Sequence, residues 1–434
     1  MNLFQGLQQR LDAGRPVRVG LIGSGKFGSM FLSQVPSTPG LEVVEIADLA
    51  PDRARKACHA VGWSEERISA TRFSENGSEL CAADDVEVVI EATGSPAAGI
   101  RHALAAIHAG KHIVMVNVEA DVLVGPALAS RARRAGVVYS MAYGDQPALI
   151  AEMVDWARAA GFGVQAAGKG TKYLPGYHEV TPDSVWDHYG LTAEHAAEAG
   201  MNSQMFNSFL DGTKSAIEMA AVANACDLNV PGDGLGFFPC GVDDLARTLR
   251  PSSDGGLVAG RGVVEVVSSL ERDGRPVFRD LRWGVYVVIE APNAYAAGCF
   301  RQYGLPVDST GRYAAMYKPF HLIGMELGIS VLSAAVRGEP TGQARAFRGD
   351  AVAVAKRDLA VGDTLDGEGG YTVWGKAIPA EVSLEREALP IGLAHGLRVV
   401  RNVQRGATLT VEDVERPAEG VVSELRMEMK SLCQ

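Results

Sequence analysis

Six residues, Gly23-Ser24-Gly25-Lys26-Phe27-Gly28, follow directly on the apolar run Val17, Val19, Leu21, Ile22. They lead into Phe27, Met30, Phe31 and Leu32, which begin a helical repeat. A strand that turns into a helix through GxGxxG predicts a pyrophosphate site. The first glycine permits the tight turn, the second lets backbone amides approach the phosphates, and the third allows close helix–strand packing. The anion would rest on the unpaired N–H groups of the helix N-terminus. Asp48 ends the next apolar run, about 20 residues past the last glycine, where a carboxylate meets the adenosine ribose. A carboxylate there favours NAD, but Arg53 follows closely and would neutralise it, so NAD and NADP both stay open. Thr93-Gly94 and Asn117 stand at the ends of later apolar runs and complete the expected cofactor contacts.

A second constellation lies in 201–225, MNSQMFNSFLDGTKSAIEMAAVANA. At helical spacing Gln204, Asn207, Asp211, Lys214 and Glu218 share one face, while Met205, Phe209, Ala216, Met219 and Ala223 lie on another. Such a face is either solvated or catalytic. Gly212 inside the run costs a helix about 1 kcal/mol unless something must approach closely. Lysine is the minority cation, ten residues against 31 arginines, yet Lys169, Lys172, Lys214 and Lys318 all fall in glycine-, aromatic- or amide-rich motifs. A compact ammonium can hold a phosphate, polarise a carbonyl or move a proton. Gly168-Lys169-Gly170-Thr171-Lys172 reads as an anion-binding loop without full P-loop spacing. No HxH or HExxH pair occurs among the histidines, so a metal would take oxygen ligands and be Mg²⁺ or Mn²⁺.

These residues need elements to position them. Between 15 and 145, strand candidates 17–22, 41–47, 86–92, 112–117 and 137–141 alternate with helical runs 51–61, 97–109 and 126–135. That alternation predicts a Rossmann-type, doubly wound parallel sheet with ligands at the strand C-termini. From about 145 to 345, the long 201–225 helix and strand runs 262–270 and 281–289 predict an α+β catalytic and dimerisation domain. A helical run at 318–335 is expected to pack back onto the first domain. Short strands and glycine turns from 351 to 425 predict a small β-rich module. The expected domains are thus 1–145, 146–348 and 349–434.

Composition narrows the partners. A net charge of −11 argues against nucleic acid or an anionic membrane. The first 16 residues have no continuous apolar core, and no run is long enough to span a bilayer. The six cysteines (58, 81, 226, 240, 299, 433) form no CxxC pair and suit a reducing cytoplasm. The expectation is a cytoplasmic enzyme that forms homodimers or higher homo-oligomers and acts on a small molecule.

With these motifs read, GLIGSGKFG, ADLAPDRA, VIEATG and AGKHIVMVN resemble the homoserine-dehydrogenase-type oxidoreductases over about residues 15–145. Where that family has a catalytic lysine after the asparagine, this chain has Val118 and Glu119 after Asn117. The C-terminal region resembles a SAF domain. VMVNVEAD, FLDGTKSAIEMA and YKPFHLIGMELG make nearly the whole chain similar to the DXR-like proteins. That resemblance implies NADPH, a divalent metal and conversion of 1-deoxy-D-xylulose 5-phosphate to 2-C-methyl-D-erythritol 4-phosphate, or a related reaction on a phosphorylated hydroxyketone. Under it, Glu119, Asp211 and Glu218 become metal ligands or proton handlers, with Asp145 in reserve. Lys169 and Lys172 would take the phosphate, and Lys214 would polarise the reacting oxygen. The competing readings are a simple dehydrogenase of a hydroxy acid or polyol and a non-catalytic dinucleotide sensor.

Overall fold

The computed structural model describes residues 2–198, 200–415 and 420–432, so Cys433 lies outside it. The described residues form two compact units. One takes Met1–Glu152, His321–Arg345 and Val422–Met429, the other Met153–Phe320, Ala346–Val421 and Lys430–Gln434. The chain therefore crosses between units near 152 and 345, and residues 346–421 fold within the second unit.

The first unit is α/β. Its strands are β1 (Val17–Ile22), β2 (Leu41–Ala47), β3 (Arg72–Ser74), β4 (Val88–Glu91), β5 (His112–Met115) and β6 (Tyr139–Met141). They form one parallel sheet in the order β3-β2-β1-β4-β5-β6, the arrangement that places a dinucleotide at the carboxyl ends where strand order reverses. Apart from the exposed Arg18 and the terminal Glu91, β1 and β4 are apolar and buried, as a sheet covered on both sides requires. Leu3 and Leu7 of the first helix join this core. So do Leu327, Val331 and Leu332, which confirms that the 318–335 segment returns to the first domain. The helix there is shorter than expected: the chain is still strand at Lys318, and the helix covers only Gly328–Leu332 before a wider turn to Arg337.

In the second unit, β7 (Gly163–Thr171), β8 (Phe238–Pro239), β9 (Val263–Ser268), β10 (Val285–Glu290) and β11 (Tyr313–Lys318) form a mixed sheet ordered β11-β10-β7-β9-β8. GKGTK is thus the end of a strand and its continuation, which corrects the reading of an anion-binding loop. A Cβ at Gly168 would lie 1.7 Å from the Glu265 carbonyl, and one at Gly170 would lie 1.9 Å from that of Leu281. These glycines let backbones pass closely. The β-rich C-terminal stretch contributes the antiparallel pair β12 (Gly349–Ala355) and β13 (Val373–Pro379), with short bridges such as Val354 to Thr408 and Leu359 to Val403.

The expected helix over 201–225 is two helices, Ser203–Leu210 and Thr213–Cys226. Gly212 between them has φ +93°, a left-handed conformation that ends the first helix and re-aims the second. The Thr213–Cys226 helix packs against β7 and β9 as well as β12 and β13, so it is apolar nearly all round. Among the described residues, no helix is long and apolar enough to cross a membrane.

Candidate active site

The three glycines of the β1 turn occupy different environments. Gly23 has φ +94°, and a Cβ there would meet the Ala92 carbonyl at 2.7 Å. A Cβ on Gly28 would come within 2.4 Å of the Gly23 carbonyl oxygen, so the Lys26–Gln34 helix sits directly on the turn. Gly25 is exposed and a Cβ there would meet nothing within 4 Å, leaving open the approach a pyrophosphate needs. It caps the helix without a side-chain bond, so the first N–H groups remain for an anion. Lys26 is exposed and Phe27 half-buried at the start of that helix.

Asp48 follows β2, its side chain only 2% exposed. It accepts from Ser24 N at 2.9 Å and Ser24 Oγ at 2.6 Å, from Ala50 N at 3.0 Å and from Arg53 at 2.7 Å. Burial alone would raise its pKa, but these bonds outweigh it and hold the carboxyl below its ordinary range. Arg53 is 66% exposed and presents its guanidinium outward.

At the carboxyl end of β4, buried Glu91 accepts from the Thr93 hydroxyl and faces His102 Nδ1 at 3.2 Å. Gly94 is exposed, with open space where a Cβ would point. Asn117 caps the Val118–Arg134 helix by accepting from Ala120 N and donates to the carbonyls of Thr93 and Ser95, at 2.9 and 3.0 Å. It therefore shapes the 93–95 loop.

The second unit does not hold its candidates on one face. Asp211 is fully buried, and Lys356 forms an ion pair with it at 2.8 Å and donates to the carbonyls of Val180 and Gly370, each at 2.8 Å. Asp211 also accepts from Thr213 N, and burial raises its pKa against the pull of Lys356. Lys169 on β7 donates to Glu218 on the Thr213–Cys226 helix, and both are buried. Lys214, half-buried, lies four residues before Glu218 on the same helix face. Lys172 donates to the His188 carbonyl, and burial with nearby Arg282 lowers its pKa. Gln204 and Asn207 bind backbone carbonyls at 366–369 and at Val180.

Sequence reasoning gave Lys356, Lys376, Phe237 and Trp374 no chemical role. With His178 and Gly212, the last three line a cavity of about 200 Å³. His178 stacks on Trp374 at 3.8 Å, accepts from Tyr173 through Nε2 and donates through Nδ1 to the Asp211 carbonyl. Only a neutral ring does both. Burial pushes its pKa down to about 4. A lowered histidine stabilises the fold fully above its unfolded value, and the contribution is lost as pH falls. Chemical denaturation should therefore show up to about 3 kcal/mol lost between pH 6.5 and 4, with a flatter profile in His178→Gln.

The metal expectation does not fit this donor set. Asp211 and Glu218 are each held by a different lysine. Among the described residues, no group of three His, Cys, Asp or Glu could hold an ion.

Two family models match the chain. The model of the oxidoreductase family with an NAD-binding Rossmann fold matches residues 17–120, and that of the oxidoreductase DRL catalytic domain matches residues 144–327. No curated protein matches the sequence. Among solved structures, a homoserine dehydrogenase from Thiobacillus denitrificans is 18% identical with TM-score 0.36, 49% of each chain being covered. A myo-inositol dehydrogenase from Lactobacillus casei is 17% identical with TM-score 0.30, over 39% of this chain and 50% of that one. A biliverdin reductase from Synechocystis is 20% identical with TM-score 0.27, over 37% and 48%. The chain spans about half the length of these structures. The chain thus carries a match to an NAD-binding Rossmann fold of oxidoreductases followed by a match to an oxidoreductase catalytic domain.

Proposed function

We propose that this enzyme transfers hydride between NADP and a small anionic hydroxy or oxo compound, leaving the carbon skeleton unchanged. The carrying observation is the buried Lys169–Glu218 pair, which lies within the matched catalytic region. A lysine held by a carboxylate away from water can donate a hydrogen bond to a substrate oxygen and stabilise the negative charge that develops there. Lys214, on the Glu218 face, and Lys172 are the cations assigned to the substrate's negative group, while Asp211 keeps the start of the helix in place through Lys356. The dinucleotide, when bound, supplies the hydride chemistry. The alternative, reductoisomerisation of a phosphorylated hydroxyketone, asks for a chelating cation, and two of the three carboxylates proposed to hold it, Asp211 and Glu218, are occupied by lysines.

NADP is preferred because Asp48 has four internal donors, as many as a carboxylate has lone-pair sites, so it offers little to a ribose hydroxyl. The exposed Arg53 guanidinium suits a 2′-phosphate. Arg53→Ala should raise the Kd for NADPH about tenfold while changing that for NADH less than twofold, as for loss of one charge-assisted contact. Equal losses for both cofactors would assign Arg53 to the fold.

The reaction is tested with NADPH and a panel of phosphorylated ketoses and short oxo acids, with and without EDTA. The reading expects turnover that survives EDTA and a product with the substrate's skeleton. A rearranged product formed only with Mn²⁺ or Mg²⁺ would overturn it in favour of the reductoisomerase.

A further inference from the structure

Asp121, in the first turn of the Val118–Arg134 helix, is a buried acid with no cation beside it among the described residues. Tyr139 donates to its Oδ1 at 2.8 Å, whereas Oδ2 meets no donor among the described residues. The helix makes room for this carboxyl. A Cβ on Gly125, one turn on, would lie 2.3 Å from Asp121 Oδ1. A mid-helix glycine and an unpaired buried acid both cost stability. Asp121 also lines a cavity of about 10 Å³ with Met115, Val118, Met141, Ala142 and Asp145, at the carboxyl ends of β5 and β6. That volume suits one water, and the site has the polar partners a water needs. Ligands of such sheets bind in the crevice outside these strand ends.

We propose that Asp121, with one water bound between it and Asp145, is a proton-exchanging group tied to the redox state of the dinucleotide. It holds a proton more readily opposite the reduced, neutral ring than opposite the oxidised, cationic one. When the oxidised form binds, the Asp121 O–H bond breaks and its proton leaves through the water to solvent. No electron moves in that step. Burial pushes the Asp121 pKa up to about 6, with Tyr139 pulling it back, so the exchange falls in a usable range. Titratable groups on the surrounding elements include Glu91 at the end of β4, His102 facing it, His112 at the start of β5, Asp145 before the next helix, and Glu119 on the same helix. The Tyr139 phenol is itself raised by burial and by Asp121. The inference rests on the oxidoreductase reading.

The test is the ratio of Kd for NADP⁺ to Kd for NADPH, which cancels titration of their common 2′-phosphate. A one-unit depression of Asp121 by the cationic ring predicts a fall of about threefold from pH 5.5 to 8 in the native protein. The ratio should be flat in Asp121→Asn. Gly125→Ala, which displaces the carboxyl, should flatten it too. Tyr139→Phe should move the midpoint upward, because a bond favouring the ionised form is gone. A flat ratio in the native protein, or an unchanged slope in Asp121→Asn, overturns the proposal while leaving the oxidoreductase reading intact. Failure of the native protein to bind either cofactor overturns both.

Discussion

Lys169→Met is expected to cost the second unit about 3–5 kcal/mol, because Glu218 is left buried without its counter-charge. Thermal or denaturant unfolding reads the loss. Removing both partners, as Lys169→Met with Glu218→Leu, should restore most of the stability, since an apolar pair of similar volume fits among the Ala and Val side chains of β7, β9 and the helix. Activity separates the structural and chemical roles. The double variant should be folded and unable to turn over, whereas a purely structural pair would leave turnover near normal in that background. A single variant as stable as the native protein would show that the pair is not desolvated.

Lys356→Met carries the second large effect. One ammonium there satisfies the Asp211 carboxylate and two carbonyls from separate segments, Val180 and Gly370. Its loss leaves a buried charge and two unpaired acceptors, again about 3–5 kcal/mol. Lys356→Arg should not rescue it, because a planar fork cannot reproduce three contacts arranged around one nitrogen. The His178 ring binds the Asp211 carbonyl, so the cavity wall should loosen with the anchor, and Trp374 fluorescence would report it. A Lys356→Met protein with native stability and an unaltered spectrum would mean Asp211 is positioned by other contacts.

Much of the first unit was legible because its determinants are contiguous. The glycine spacing, the apolar strand and the first helical turn lie within about a dozen residues and each obeys a local rule. Asp48 was found by distance from that motif, but its saturation by Ser24, Ala50 and Arg53 was not readable, since it depends on how the turn folds back. In the second unit, local rules misled. Helical periodicity runs smoothly through Asp211 and Gly212, yet a left-handed backbone at Gly212 breaks the helix, and periodicity carries no information about φ. That glycine had been marked as costly, which was the available signal. Lys356 carries no local sign of its role, because its partners Asp211 and Val180 lie far away in sequence. The Lys169–Glu218 pair joins a strand to a helix, and its two members were noticed separately without being matched.

The central claim is that the Gly23–Gly28 turn binds a nicotinamide dinucleotide. It is tested most directly by titrating NADPH into the native protein and into Gly25→Val, following cofactor fluorescence, with the circular dichroism of each compared. Gly25 has an extended backbone and free space around its missing Cβ, so valine fits the fold. The native protein is expected to bind with a micromolar Kd, and the variant to fold alike yet bind at least about a hundredfold more weakly, the loss of roughly 3 kcal/mol of phosphate contacts. Equal affinity in the two proteins, or no binding by either, would contradict the account.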